Sequence, residues 1–259
     1  MNAPHPAARA FAWAGGALFV AALVYFLFSY SVTFGEIVEG KAAPGAIAFN
    51  LVLFSAFALH HSIFARDAVR AFVRRAVFAP LERSVYVWVA SLMLIGVCYA
   101  WRPVAGLAWQ IPSPWNWALV PVQLCGVWLT LRATAVIDGL ELAGLRQVMN
   151  PQSPASAKAS AGLAEAPFGR EGGPNPQSPM EFKTDGPYGW VRHPIYLGWI
   201  LLVFAVGTMT MTRLVLALVS SVYILIAIPF EERTLRAHSG RAYDDYMKRV
   251  PWKLIPRFF

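Results

Sequence analysis

The sequence predicts an all-α fold, a polytopic integral membrane helical bundle of about six spans whose last two form a helical hairpin and whose termini both lie on the cytoplasmic side. Three observations predict it. Hydrophobic residues make up 57% of the 259 and charged residues 14%, with a mean hydropathy of +0.49, which is a membrane-protein balance. The apolar residues are gathered into windows free of Asp, Glu, Lys and Arg, at 10–35, 42–65, 84–101, 103–131, 194–212 and 214–230. A helix needs about this length to cross roughly 30 Å of hydrocarbon, the last two windows being the shortest. Basic residues alternate from side to side, and this sets the orientation.

The first window follows Arg9 but is too long for a secretory h-region, has no convincing small-x-small cleavage site and is followed by further spans, so it reads as a membrane helix. Between spans two and three stand Arg66, Arg70, Arg74, Arg75 and Arg83 against Asp67 and Glu82. After span six come Arg233, Arg236, Arg241, Lys248, Arg249, Lys253 and Arg257. The loops on the other side hold only Glu36, Glu39 and Lys41, and then Arg102. By the positive-inside rule the basic segments face the cytoplasm, and the net charge of +8 reflects orientation and anionic lipid rather than nucleic acid. Cys98 and Cys125 lie in different apolar windows and suggest neither a disulfide nor a thiolate metal site. His60 and His61 are adjacent, about 100° apart on a helix, so no metal site is expected of them either.

Residues 150–184 are rich in Pro, Ala, Ser and Gly and repeat the pentapeptide NPQSP at Asn150–Pro154 and Asn175–Pro179. They read as a flexible cytoplasmic insertion, the repeat being a slipped duplication in preference to a docking motif. The chain thus divides into N-terminal helices (1–149), the insertion (150–184) and a C-terminal hairpin with its tail (185–259).

In the stretch GPYGWVRHPIYLG, Pro194 suits the first position of a helix, with Arg192 and His193 at the cap and Tyr196 on the same side of the first turn. A helix mouth with Arg192 suits an anion. Spans five and six are separated only by Arg213, so a tight hairpin brings Arg192 and His193 beside Glu231 and Glu232. Two acids at a helix C-terminus run against the dipole and need pairing, as with Arg236, or a cationic ligand. Gly198 lets another helix or a ligand come close.

This stretch, with the later EERTLRAHSGRAYDDYMKRVPWKLIP, resembles the C-terminal half of integral-membrane methyltransferases of the isoprenylcysteine carboxyl methyltransferase and phospholipid methyltransferase superfamily. The resemblance rests on Arg192, His193, Pro194, Tyr196, Gly198, Glu231, Glu232, Gly240, Tyr243, Tyr246, Val250, Pro251 and Pro256. ALHHSIFAR, LERSVYVWVASL, Trp101–Pro103 and Gly144–Val148 resemble the bacterial branch of methanethiol S-methyltransferases and NnrU-like membrane proteins. His60, where glutamine is expected, and the 150–184 insertion depart from that pattern.

The resemblance implies an S-adenosylmethionine-dependent enzyme of the bacterial inner membrane with its active site facing the cytoplasm. Arg192, His193, Tyr196, Leu197, Gly198, Glu231 and Glu232 would bind the cofactor. The acceptor it implies is a small-molecule thiol, methanethiol, converted to dimethyl sulfide; a lipid or prenylated acceptor and a non-catalytic accessory role are the alternatives. Membrane lipids are the other expected partner, with no metal and no nucleic acid. A small alkyl thiol is mostly protonated at neutral pH if its pKa is at least cysteine's value of about 8.5, so a base or cation must assist. His61, Arg83, Tyr86 and Arg146, at the cytoplasmic ends of other spans, are the candidates.

Overall fold

The computed structural model describes residues 6–41, 43–64, 69, 72–73, 75, 81–137, 145–149 and 186–259, and it is mostly helical. Among the described residues, five helices are long and apolar enough to cross a membrane: Pro6–Gly35, Pro44–Phe64, Glu82–Ala100, Trp115–Val136 and Met211–Ala237. The helical elements, in chain order, are α1 (Pro6–Ser31), α2 (Pro44–Phe64), α3 (Glu82–Ala100), α4 (Leu119–Ile137), the one-turn α5 (Arg146–Met149), α6 (Pro194–Phe204), α7 (Met211–Ser239) and α8 (Arg241–Arg249). Two short strands, β1 (Leu107–Gln110) and β2 (Thr208–Thr210), pair antiparallel. The insertion expected at 150–184 and most of the basic stretch after span two lie outside the described residues.

The chain forms two units, the first comprising the described parts of 1–33, 49–101 and 138–165. Here α1 packs on α3 through Gly15, where an added Cβ would stand 2.8 Å from Nε1 of Trp88. That indole stacks on Phe11 at 5.5 Å and donates to its carbonyl at 3.0 Å. Ala12, Leu145 and Val148 form a small buried cluster where α5 meets α1, with Gly16 against Leu145.

The second unit comprises the described parts of 34–48, 102–137 and 166–259. The fourth apolar window is not helical from its start. Pro103, Pro112 and Pro114 deny backbone donors, and the chain runs extended through β1 before α4 begins at Leu119. The fifth window also departs from expectation. Its helix stops at Phe204 after 11 residues, about 16 Å of rise, and the chain turns at Ala205, with Val206 N–H donating to Phe204 O at 2.9 Å, before passing Gly207 into β2. The pairing of Leu107 with Thr210 and of Gln110 with Thr208, and the bond from Ile111 N–H to Gly207 O at 2.8 Å, satisfy this backbone. Non-helical chain among apolar spans requires such internal partners.

Arg213 is therefore not a hairpin turn. Thr210 caps α7 by accepting from the Arg213 amide at 3.2 Å, and the buried guanidinium donates through Nη1 to Thr208 O at 2.6 Å. At its other end α7 runs past 230, over Pro229, to Gly240, whose φ of 50° suits glycine and ends the helix. Glu231 and Glu232 thus stand two turns inside α7 rather than at its C-terminus, and pairing explains them better than a dipole penalty.

α4 and α6 meet through two glycines. A Cβ on Gly126 would stand 2.6 Å from Gly198 O and 2.9 Å from the Leu202 amide. Of the two neighbours foreseen for Gly198, it is a helix that comes close, and this contact sets where the N-terminal end of α6 lies.

Candidate functional site

A one-turn 3₁₀ segment, Gly186–Gly189, delivers the chain to Arg192 and His193, and Pro194 opens α6 with His193 as its N-cap. α6 lies antiparallel along α7, pinned midway by Trp199 Nε1 donating to Ser220 Oγ at 2.9 Å. The cap of α6 consequently meets α7 at Glu231 and Glu232. Arg192 Nε donates to Glu232 Oε1 at 2.7 Å, and His193 Nε2 lies 3.3 Å from the same oxygen. His193 Nδ1 is 3.6 Å from Glu231 Oε2, which accepts from Tyr196 Oη at 2.9 Å. The His193 and Tyr196 rings stack at 5.4 Å and 10°. The apposition expected from chain length is present, carried by a helix and a strand instead of a tight hairpin.

Burial grades across the cluster. Arg192 is 7% exposed and Glu232 14%, whereas Glu231 reaches 30%. The bonds of Glu231 fall on Oε2, and among the described residues Oε1 has no hydrogen-bond partner.

The C-terminal tail supplies what sequence reasoning missed. α8 buries Tyr243 and Tyr246 completely against Leu235 and Val250, and Tyr246 Oη donates to Tyr188 O at 2.9 Å. Beyond it, Val250 O and Pro251 O accept from Arg192 Nη1 at 2.9 and 2.6 Å. The amides of Arg192 and His193 donate to Trp252 O and Lys253 O, both at 2.9 Å. Pro194 has no N–H, so the first turn of α6 offers at most the amides of Ile195 and Tyr196 to a ligand. Burial pushes the phenols of Tyr188 and Tyr243 up from their ordinary value, with Glu231 and Glu232 adding to it respectively; burial also raises Tyr246.

The remaining expected residues fall in separate places. Leu197 is in the first turn of α6, its amide bonded to His193 O at 3.1 Å. His61, Arg83 and Tyr86 come together in the first unit. His61 Nδ1 and Tyr86 Oη are hydrogen-bonded at 2.5 Å, and the Arg83 guanidinium lies 4.9 Å from the Tyr86 ring centre. His60 stacks on that ring at 5.8 Å and 9°. Arg146 opens α5, and its side chain lies outside the described residues. Both cysteines are free, and among the described residues no group of three or more His, Cys, Asp or Glu side chains could hold a metal ion.

Apolar helices of spanning length beside an Arg–His–Glu–Glu cluster define an integral membrane protein, and residues 177–237 match the family described as the isoprenylcysteine carboxyl methyltransferase (ICMT) family. Methanethiol S-methyltransferase 2 of Bradyrhizobium diazoefficiens is 36% identical over 214 residues, covering 83% of this chain and 74% of the relative. Methanethiol S-methyltransferase of Mycobacterium tuberculosis is 34% identical over 256 residues, covering 92% and 94%. Nurim of Xenopus laevis is 28% identical over 202 residues, covering 74% and 64%. The chain belongs to the methanethiol S-methyltransferase family. No solved structure matches it.

Proposed function

We propose that the chain transfers a methyl group from S-adenosylmethionine to methanethiol, giving dimethyl sulfide. The carrying observation is the cluster of Arg192, His193, Tyr196, Glu231 and Glu232 where α6 meets α7. Its donor set fits the cofactor. Glu231 keeps a partly exposed carboxylate oxygen without a partner among the described residues, suited to an ammonium or ribose hydroxyls. The stacked His193 and Tyr196 rings, with Leu197 in the same turn, make the adjoining wall, while Gly198 packs against α4 behind it.

S-adenosylmethionine supplies an electrophilic methyl on a sulfonium. On the acceptor side, in the tautomer where His61 Nδ1–H donates to Tyr86, His61 Nε2 holds the lone pair that takes the thiol proton. Arg83 beside Tyr86 supplies positive charge for the thiolate. A thiolate meeting a cationic methyl donor would lose its charge as the donor loses its own, so a low-dielectric setting would favour transfer. The basic tail supports a cofactor side that faces the cytoplasm from a bacterial inner membrane.

Detergent-purified protein given methyl-labelled S-adenosylmethionine and methanethiol tests this by headspace analysis, with a lipid extract in parallel. Labelled dimethyl sulfide is the expected result. Label confined to the lipid, or none in either fraction, would refute it.

A further inference from the structure

The two adjacent acids are placed differently. Glu232 is the more buried, and its Oε1 faces both Arg192 Nε and His193 Nε2. Glu231 is the more exposed and retains an oxygen with no partner among the described residues. Resting on the methyl-donor reading above, we propose that Glu231 contacts the donor while Glu232 is a positioning residue, held through Arg192 by a strap made of the C-terminal segment Val250–Phe259, in which Leu254 is the anchor.

The hydrogen bonds run without a break from the tail to the acid. Arg192 is fixed on three sides, by Glu232 at Nε, by the Val250 and Pro251 carbonyls at Nη1, and by Trp252 O at its amide. His193, which faces both acids, has its own amide tied to Lys253 O. Neither residue can shift its backbone unless the strap moves too. The strap is anchored next to the site, since Leu254 is buried against Ile224 and Ile228 of α7, with Tyr196 packed on the same cluster. It is closed on itself by the Leu254 and Ile255 amides, which donate to Phe259 O at 2.9 and 3.0 Å.

Charge supports the same division. The Arg192 guanidinium balances the acid it touches, which is Glu232, whereas the more exposed Glu231 is met by His193 Nδ1 at 3.6 Å and by the Tyr196 hydroxyl at 2.9 Å, both on Oε2. A ligand that presents a cation and hydroxyl donors to that edge meets an acceptor already oriented. Arg192, with Nε turned to Glu232 and Nη1 to two carbonyls of the strap, acts on Glu232 through these bonds.

The test uses the full chain in detergent, with S-adenosylmethionine binding followed by calorimetry and KM measured for donor and thiol separately. Arg192→Lys keeps a charge for Glu232 but not the forked geometry. Leu254→Ala loosens the strap without altering any residue of the polar cluster. Each is expected to weaken donor binding about tenfold or more, the loss expected from one hydrogen bond to a charged group. The thiol KM should stay unchanged, and the double variant should be no weaker than the worse single one, because both act through one linkage. Leu254→Val, with helical content checked by circular dichroism, should fall between wild type and alanine and separates misfolding from misplacement. Wild-type binding in Leu254→Ala, or losses that multiply in the double variant, would overturn the strap. A wild-type chain that binds no S-adenosylmethionine would overturn the proposed function, and this inference with it.

Discussion

Arg192 and Glu232, 40 residues apart in the chain, meet at 2.7 Å with both side chains largely withdrawn from solvent. A buried ion pair costs desolvation that its mutual attraction roughly offsets, so its presence says little about net stability. Breaking it is another matter, because the surviving charge stays buried without its counterpart.

Glu232→Ala is therefore expected to destabilise the fold by about 3–5 kcal/mol and to abolish cofactor binding. Glu231→Gln removes a more exposed charge and should abolish binding with little change in stability. His193→Ala should abolish binding while the helices remain inserted. Thermal unfolding in detergent, beside calorimetric titration with S-adenosylmethionine, checks all three. Equal melting temperatures for the Glu231 and Glu232 variants would contradict the graded burial.

Truncation after Arg249 removes the four carbonyls that accept from Arg192 and His193. Amide exchange at residues 192 and 193 should then rise toward that of unprotected chain, while the α3 amides keep their protection. Hydrogen exchange read by mass spectrometry on peptides covering 186–200 decides it. Unchanged protection there would mean that α6 holds its own cap.

Much of this site was legible in the sequence, for identifiable reasons. Pro194, at the head of an apolar run, suits the first position of a helix, and the two successive apolar windows between His193 and Glu231 bring their ends together. What could not be read is the route between them. Gly207 and Thr208–Thr210 sit in an apolar window whose hydropathy is the same whether it is helix or strand, and only the partner strand at Leu107–Gln110 decides. Main-chain carbonyls carry no residue signature, so the role of Val250–Lys253 as acceptors for Arg192 and His193 was invisible. The length of α7 is hidden because the charge-free window ends at Phe230, whereas Glu231 and Glu232 continue the helix, with Tyr196 of α6 and Arg192 at its cap as partners.

The Gly126–Gly198 contact predicts a steric effect transmitted to the site. Gly126→Ala places a methyl 2.6 Å from a carbonyl of α6, and a forced displacement of this kind costs about 1–3 kcal/mol. Because α6 carries His193 at its cap, the variant should lose affinity for the cofactor as well as stability. Gly45→Ala, where an added Cβ meets nothing within 4 Å, serves as the control and should lose neither. Melting temperature and calorimetric affinity, measured on both, test the link.

The buried phenols of Tyr188, Tyr243 and Tyr246 predict how stability depends on pH. Burial raises each above its ordinary value, so the folded protein keeps these protons where the unfolded chain has begun to lose them. Below the unfolded value of about 10 both states are protonated and the three groups make no difference to the slope. Above it the unfolded chain binds fewer protons than the native one, and stability falls by up to about 1.4 kcal/mol per pH unit for each phenol. The expected profile from these groups is level from neutral pH to about 9 and steep beyond 10. Tyr243→Phe should flatten the alkaline limb by one proton's worth, which thermal unfolding at matched ionic strength can resolve. An alkaline slope identical in wild type and Tyr243→Phe would mean that this phenol ionises in the folded state as readily as in the unfolded one, and that α8 does not seal it beside the carboxylates.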